Sequence, residues 1–193
     1  MGKLPFLLII VLAVLGCGAG ASETPADKAE AGVAGSAEKT ATVAVSKPAV
    51  DTSQLRDAPV WELYALDGTA VRSADLMGKV VLVDFWATWC GPCRRSIPHL
   101  KTLHAQYKDK GLQVVGVSVD QAGPRVVIPF VEKFGINYPV VMGTQKVVQD
   151  FGGVRGIPTA FIISQDGKVY RKIVGLAPKE RYEQDIKALL GLS

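Results

Sequence analysis

Val81-Leu82-Val83-Asp84-Phe85-Trp86-Ala87-Thr88-Trp89-Cys90-Gly91-Pro92-Cys93 carries an apolar run straight into two cysteines separated by Gly91 and Pro92. The run is β-branched and nearly unbroken from Val80, the pattern of a strand buried on both faces of a sheet. From Cys93 to Lys110 the period changes: Ile97, Leu100, Leu103 and Tyr107 recur at helical spacing, and Gly111 ends the segment. Two thiols placed where a strand gives way to a helix can close a small disulfide ring and reopen it without moving the fold. The spacing therefore points to dithiol redox chemistry. Cys90 falls at the helix N-terminus, where unpaired N–H groups and the dipole favour an anion, so its thiolate is the expected nucleophile. Cys93, one turn inward, is expected to be buried and to resolve a mixed disulfide. A static staple is a poor alternative, because so short a loop constrains the unfolded chain little.

Other uses of paired cysteines fit less well. His99 and His104 are the only histidines, and on one helix they stand about 140° apart around the axis, so they cannot share a metal as an i, i+4 pair would. Both are expected at the surface. Haem attachment needs histidine after the second cysteine, where this chain has Arg94. No cofactor is expected. A copper-handling module would want a distant histidine, and none follows His104; a thiol peroxidase would want a reactive cysteine beside Thr and Arg and a remote resolving thiol. Both remain as alternatives that copper titration and a peroxide assay would separate.

Asp84 is the unusual residue of the strand. An acid in the middle of a buried apolar run is costly unless it has a task or a partner.

Upstream, Lys3 precedes an apolar run from Leu4 to Leu15, a signal-peptide h-region too short to span a bilayer unaided. It ends in Val14-Leu15-Gly16-Cys17, which resembles a bacterial lipobox; the resemblance implies that Cys17 is acylated and that residues 1–17 are a lipoprotein signal. A lipidated Cys17, an uncleaved anchor and plain secretion all place the remainder outside the cytoplasm. Lipidation would also remove the surplus from an odd count of three cysteines. Residues 18–57 lack aromatics and are rich in Ala, Gly, Ser, Thr, Lys and Glu, which reads as a flexible tether with a reach of about 35 Å. Residues 58–193 are long enough for one domain with a substantial core. A net charge of +4 with no basic stripe among aromatics does not suggest nucleic acid.

The rest of the chain alternates strands and helices. A hairpin is expected from Val60 to Arg72 around Asp67-Gly68, strands at Leu112–Val119 and Tyr138–Met142, helices at Val126–Phe134 (Pro129 near its start) and Thr144–Phe151, and a second hairpin from Thr159 to Val174 around Asp166-Gly167. A final amphipathic helix opens with Pro178 at its first position, and Pro98 should kink the helix after Cys93. The class is α/β, a sheet packed on both sides.

Three separated features now stand together: Trp86-Ala87-Thr88-Trp89-Cys90-Gly91-Pro92-Cys93, the segment Gly156-Ile157-Pro158-Thr159, and Asp166-Gly167-Lys168 with Gly175 beyond. With them, residues 58–193 resemble the thioredoxin-fold, membrane-tethered thiol-disulfide oxidoreductases of the TlpA/ResA type. The resemblance implies a central mixed β-sheet flanked by helices, an N-terminal β-hairpin and a helix-bearing insert at about residues 120–150. It implies a cis Ile157–Pro158 peptide against the disulfide, on whose backbone edge a substrate chain pairs, with Trp89, Gly91, Pro92, Ile157 and Pro158 lining the contact. Gly91-Pro92 is the thioredoxin dipeptide, which implies a reducing poise nearer ~ −270 mV than DsbA's ~ −120 mV. The implied partners are disulfide-containing exported proteins, apocytochrome c among them, and a membrane electron donor. TlpA/ResA-type chains more often carry Asn at the Asp84 position and a glutamate after the next strand, where this chain reads Asp120-Gln121. Proton exchange with Cys93 therefore falls to Asp84 or to Asp120.

Overall fold

The computed structural model describes residues 50–192. β3 (Val80–Trp86) lies at the centre, and every residue in it is buried. On one side it pairs in parallel with β4 (Leu112–Ser118), which pairs in parallel with β5 (Val140–Met142). On the other it pairs antiparallel with β6 (Thr159–Ile163), which forms a hairpin with β7 (Val169–Val174). The resulting order, β5-β4-β3-β6-β7, is a mixed five-stranded sheet. Crossovers α1 (Gly91–Tyr107) and α2 (Pro124–Phe134) carry the chain between parallel neighbours. α3 (Gln145–Asp150) precedes β6, and α4 (Lys179–Leu190) closes the fold.

The period of two along β3 divides the core. Val80, Leu82 and Trp86 face one side with Ile97, Leu100 and Leu103 of α1 and Ile186 and Leu189 of α4. Val81, Val83 and Phe85 face the other with Trp61, Val147 of α3, Phe151 and Phe161. Apolar side chains are thus required at every β3 position except the one occupied by Asp84.

The N-terminal hairpin consists of β1 (Glu62–Tyr64) and β2 (Ala70–Arg72), joined through Asp67-Gly68 and followed by a 3-10 turn at Ser73–Leu76. It begins two residues later than Val60, which is 84% exposed. An isolated bridge from Ala65 to Val141 lays it beside β5, where it covers part of an otherwise open sheet edge.

The boundary expected at residue 57 moves upstream. Thr52 is buried and its hydroxyl donates to Asp166 Oδ2 at 2.6 Å, the Ala58 N–H donates to Gly167 O at 2.8 Å, and the Val169 N–H to Arg56 O at 2.9 Å. Residues 52–58 therefore belong to the folded unit, held on the β6–β7 turn. The expected signal segment, Cys17 and the tether up to residue 49 lie outside the described residues.

Two prolines sit differently from expectation. α2 starts at Pro124 rather than Val126, because proline's fixed φ and missing N–H suit a first helical position; Pro129 is consequently inside the helix. Pro178 caps α4 from outside, and the helix begins at Lys179. Pro98 lies within α1, as its place in the sequence demands.

Candidate active site

The loop from Ala87 to Trp89 joins the end of β3 to α1, and it is held from two sides. Asp120, just past β4, accepts the Thr88 N–H at 2.9 Å, the Thr88 hydroxyl at 2.6 Å and the Ser118 hydroxyl at 2.9 Å. From the helix, Arg94 Nε donates to Thr88 O at 2.8 Å while its guanidinium sits 5.6 Å from the centre of the Phe130 ring. Arg94, although exposed, therefore braces this loop. Cys90 follows as the N-cap of α1, its Sγ accepting the Cys93 N–H at 3.2 Å. A sulfur there meets backbone donors that have no helical partner, and the first turn carries no acid to oppose a negative charge.

Cys90 and Cys93 are disulfide-bonded. Both are buried, Cys90 at 5% exposure and Cys93 at 0%, so Cys90 is the only one of the pair with any surface. Beside it Trp89 stands 68% exposed and forms an apolar lip, with Gly91 and Pro92 also exposed; Trp86 is wholly buried against Phe130. The Ile157–Pro158 peptide is cis. Its place follows from the ladder: Phe85 is level with Thr159, so Pro158 comes one step further, level with Trp86 at the β3 end that leads to the cysteines. Gly175 donates its N–H to Pro158 O at 2.8 Å, and the Thr159 hydroxyl to Gly156 O at 2.7 Å, which fix this segment against β7.

Asp84 points to the sheet face covered by α1, the helix that carries Cys93. It is 1% exposed, and neither carboxylate oxygen has a hydrogen-bond partner. Burial alone pushes its carboxyl up to about 8. The register partners of Asp84 are Gly116 and Ala160, which crowd it least and offer it nothing polar. Asp120, by contrast, is fully engaged in holding Thr88. Of the two acids open to proton exchange, Asp84 is the unpartnered one.

Residues 43–190 match the Redoxin family. The thiol-disulfide oxidoreductase ResA of Bacillus anthracis is 35% identical over 135 residues, 69% of this chain and 77% of the relative. ResA of Bacillus subtilis is 35% identical over 123 residues, 64% of this chain and 68% of the relative. Among solved structures, a Chlorobium tepidum protein described as a thiol:disulfide interchange protein DsbE superposes with a TM-score of 0.67 at 38% identity, across 73% of this chain and 100% of that one. The chain belongs to the Redoxin family. Within it, the protein is a thiol-disulfide oxidoreductase of the TlpA/ResA type with a thioredoxin fold.

The site of this Redoxin-family protein holds more than its sequence discloses. Trp86 Nε1 and the Tyr138 hydroxyl are buried without partners on the same side of the sheet as Asp84. Burial and the negative charge of Asp84 both raise the Tyr138 phenol, and the same two causes push Tyr182 on α4 up to about 12. Both rings thus sense the buried acid. Trp86 and Tyr138 close over β4 because it has glycine at position 116: a methyl group there would lie 2.9 Å from Trp86 Nε1 and 3.1 Å from Tyr138 Cε2. Gly116→Ala is expected to cost about 1–3 kcal/mol through overpacking, read as a lower urea midpoint. An unchanged midpoint would mean that the two rings retreat freely.

His104, expected at the surface, is buried edge-on to Tyr138 with ring centres 6.2 Å apart. It continues the stripe of Ile97 and Leu100 by one more turn, so helix geometry places it inward whatever its polarity. Burial, then the nearby Lys108, hold its imidazole below the usual range, favouring the neutral ring.

Proposed function

We propose that this protein is an extracytoplasmic reductant of disulfides in exported proteins, tethered to the membrane through its N-terminus. The observation that carries the reading is the pairing of an N-cap cysteine at the surface with a fully buried partner, on a sheet whose one unpartnered acid faces the same helix. In the dithiol form, the Cys90 thiolate attacks one sulfur of a substrate disulfide and expels the other as a thiolate. Cys93 gives its proton to the Asp84 carboxylate and attacks Cys90 Sγ. The second substrate thiolate leaves and takes a proton from solvent. Two electrons have then passed to the substrate, and the protein holds the Cys90–Cys93 disulfide. A dithiol donor in the membrane returns it to the reduced form.

Gly91-Pro92 between the cysteines supports the reducing direction, and the resemblance to TlpA/ResA-type chains supports apocytochrome c as one substrate. Trp89 and the half-buried Ile157 supply the surface on which the substrate backbone lies, over the buried Pro158. The lipobox-like Leu15-Gly16-Cys17 supports a lipid tether, with an uncleaved anchor as the other route to the membrane. Titration against glutathione or dithiothreitol buffers is expected to give a potential nearer ~ −270 mV than ~ −120 mV. A potential near the upper value would reverse the assigned electron flow and make the protein an oxidant.

A further inference from the structure

Next to the Ile157–Pro158 peptide, on the sheet face away from α1, there is a recess of about 370 Å³ that the redox chemistry does not use. Its charged lining is wholly cationic, from Arg155 and Lys172, and no carboxylate contributes to it. Neither cation belongs to an ion pair among the described residues; Arg72, Lys146, Lys168, Arg171 and Lys179 have acidic partners, these two do not. Lys172 is the register partner of Phe161, and its Nζ lies 5.4 Å from the centre of that ring, so the ammonium is drawn over the sheet face. Gly152, Gly153 and Gly156 form the opposite wall, and a methyl group added at any of them would meet nothing within 4 Å. The wall is open backbone, wide enough for an incoming side chain. Val174, 67% exposed, supplies an apolar rim.

The position of the recess decides what can reach it. Gly156 immediately precedes Ile157, Thr159 immediately follows Pro158, and both line it. A polypeptide seated against Pro158 therefore passes its mouth. Arg155 and Lys172 are both exposed on this lining, and a carboxylate entering the recess would be attracted by both charges.

We propose that this recess receives the carboxylate of an Asp or Glu side chain in the substrate polypeptide, so that disulfides with an acidic residue close to the attacked cysteine are preferred. The inference rests on the disulfide-reductase reading and narrows its substrate class. No bond is made or broken in the recess; it is a docking contact.

The test uses the full-length protein in its reduced form and a set of disulfide-cyclised peptides that differ only in carrying Glu, Gln or Lys at successive positions beside the cysteine. At one or more positions the Glu peptide is expected to exceed its Gln counterpart in kcat/KM by about five- to tenfold at low salt, through KM, with the advantage shrinking as salt rises. In the Arg155→Gln, Lys172→Gln double variant the Glu-to-Gln ratio should fall to about one, while Arg155→Lys, Lys172→Arg should retain it. A preference that survives the double charge removal, or equal rates for Glu, Gln and Lys at every position, overturns the acidic-residue site. Failure of the protein to reduce any peptide of the set strikes instead at the reductase reading, so the two failures are distinguishable.

Discussion

Replacing Cys93 with serine is expected to turn the protein into a trap. Cys90 still attacks, because its helix-terminal setting does not depend on the second sulfur, but no buried thiol remains to expel the substrate. The mixed disulfide should accumulate as a higher-mass band on a non-reducing gel and disappear with dithiothreitol. Turnover of protein disulfides should fall by at least about a thousandfold in this variant and equally in Cys90→Ser, since two members of one exchange unit are not additive. The two differ in the adduct: Cys90→Ser has no attacking sulfur at the surface and should capture nothing. Both belong in a Cys17→Ser background, so that the third cysteine cannot form adducts of its own. If Cys93→Ser gave no covalent partner while remaining folded, the assignment of nucleophile and resolving thiol would be wrong.

The parts of this site that were legible in the sequence are those governed by local rules. A strand buried on both faces must be apolar throughout, so β3 was plain from Val80 onward, and so was the exception at Asp84. The helix after Cys90 followed from its period, although α1 ends at Tyr107 and the glycine at 111, with φ 102°, closes a 3-10 turn at Lys108–Lys110 rather than the helix itself. The Ile157–Pro158 conformation had no local signal at all and was accessible only through resemblance. What stayed hidden depends on distant partners. Asp120 looked like a second candidate acid because nothing near it in sequence announces Thr88, 32 positions away, as its donor. Nothing in the sequence around Gly116 marks it, and its purpose emerges only where Trp86 and Tyr138 close over it. The polarity of His104 suggests the surface, although its place in the apolar stripe of α1 puts it inside. Arg155 and Lys172 lie far apart in the chain, and only the β6–β7 pairing and the loop after α3 bring them to one recess.

Asp84→Asn should change stability and rate in opposite directions, each with its own dependence on pH. Burial moves the Asp84 carboxyl from an ordinary 3.8 to about 8 in the folded protein. The native state therefore binds a proton that the unfolded state has already released over the whole interval between those values. Because the folded value is raised, the stabilising contribution of the neutral acid is complete below about pH 4 and is lost progressively as pH rises through about 8. The interval corresponds to a loss on the order of 5 kcal/mol, an upper figure because water penetration and small movements soften the burial of a charge. Asparagine has nothing to ionise. With the disulfide intact, urea midpoints of the variant should lack the fall that Asp84 causes between about pH 4 and pH 8, so that the variant lies well above the parent at about pH 9 and approaches it at low pH. The rate is expected to move the other way, because the base proposed to take the Cys93 proton is gone. In the parent, release of the second substrate thiol in a single turnover should accelerate through about pH 8 as Asp84 ionises. In the variant that rise should vanish, leaving the step about a hundredfold slower above it. A parent whose midpoint does not fall with pH would show that Asp84 is not buried as a lone acid. A variant more stable at high pH but with an unaltered rate profile would keep the burial and remove the proton exchange.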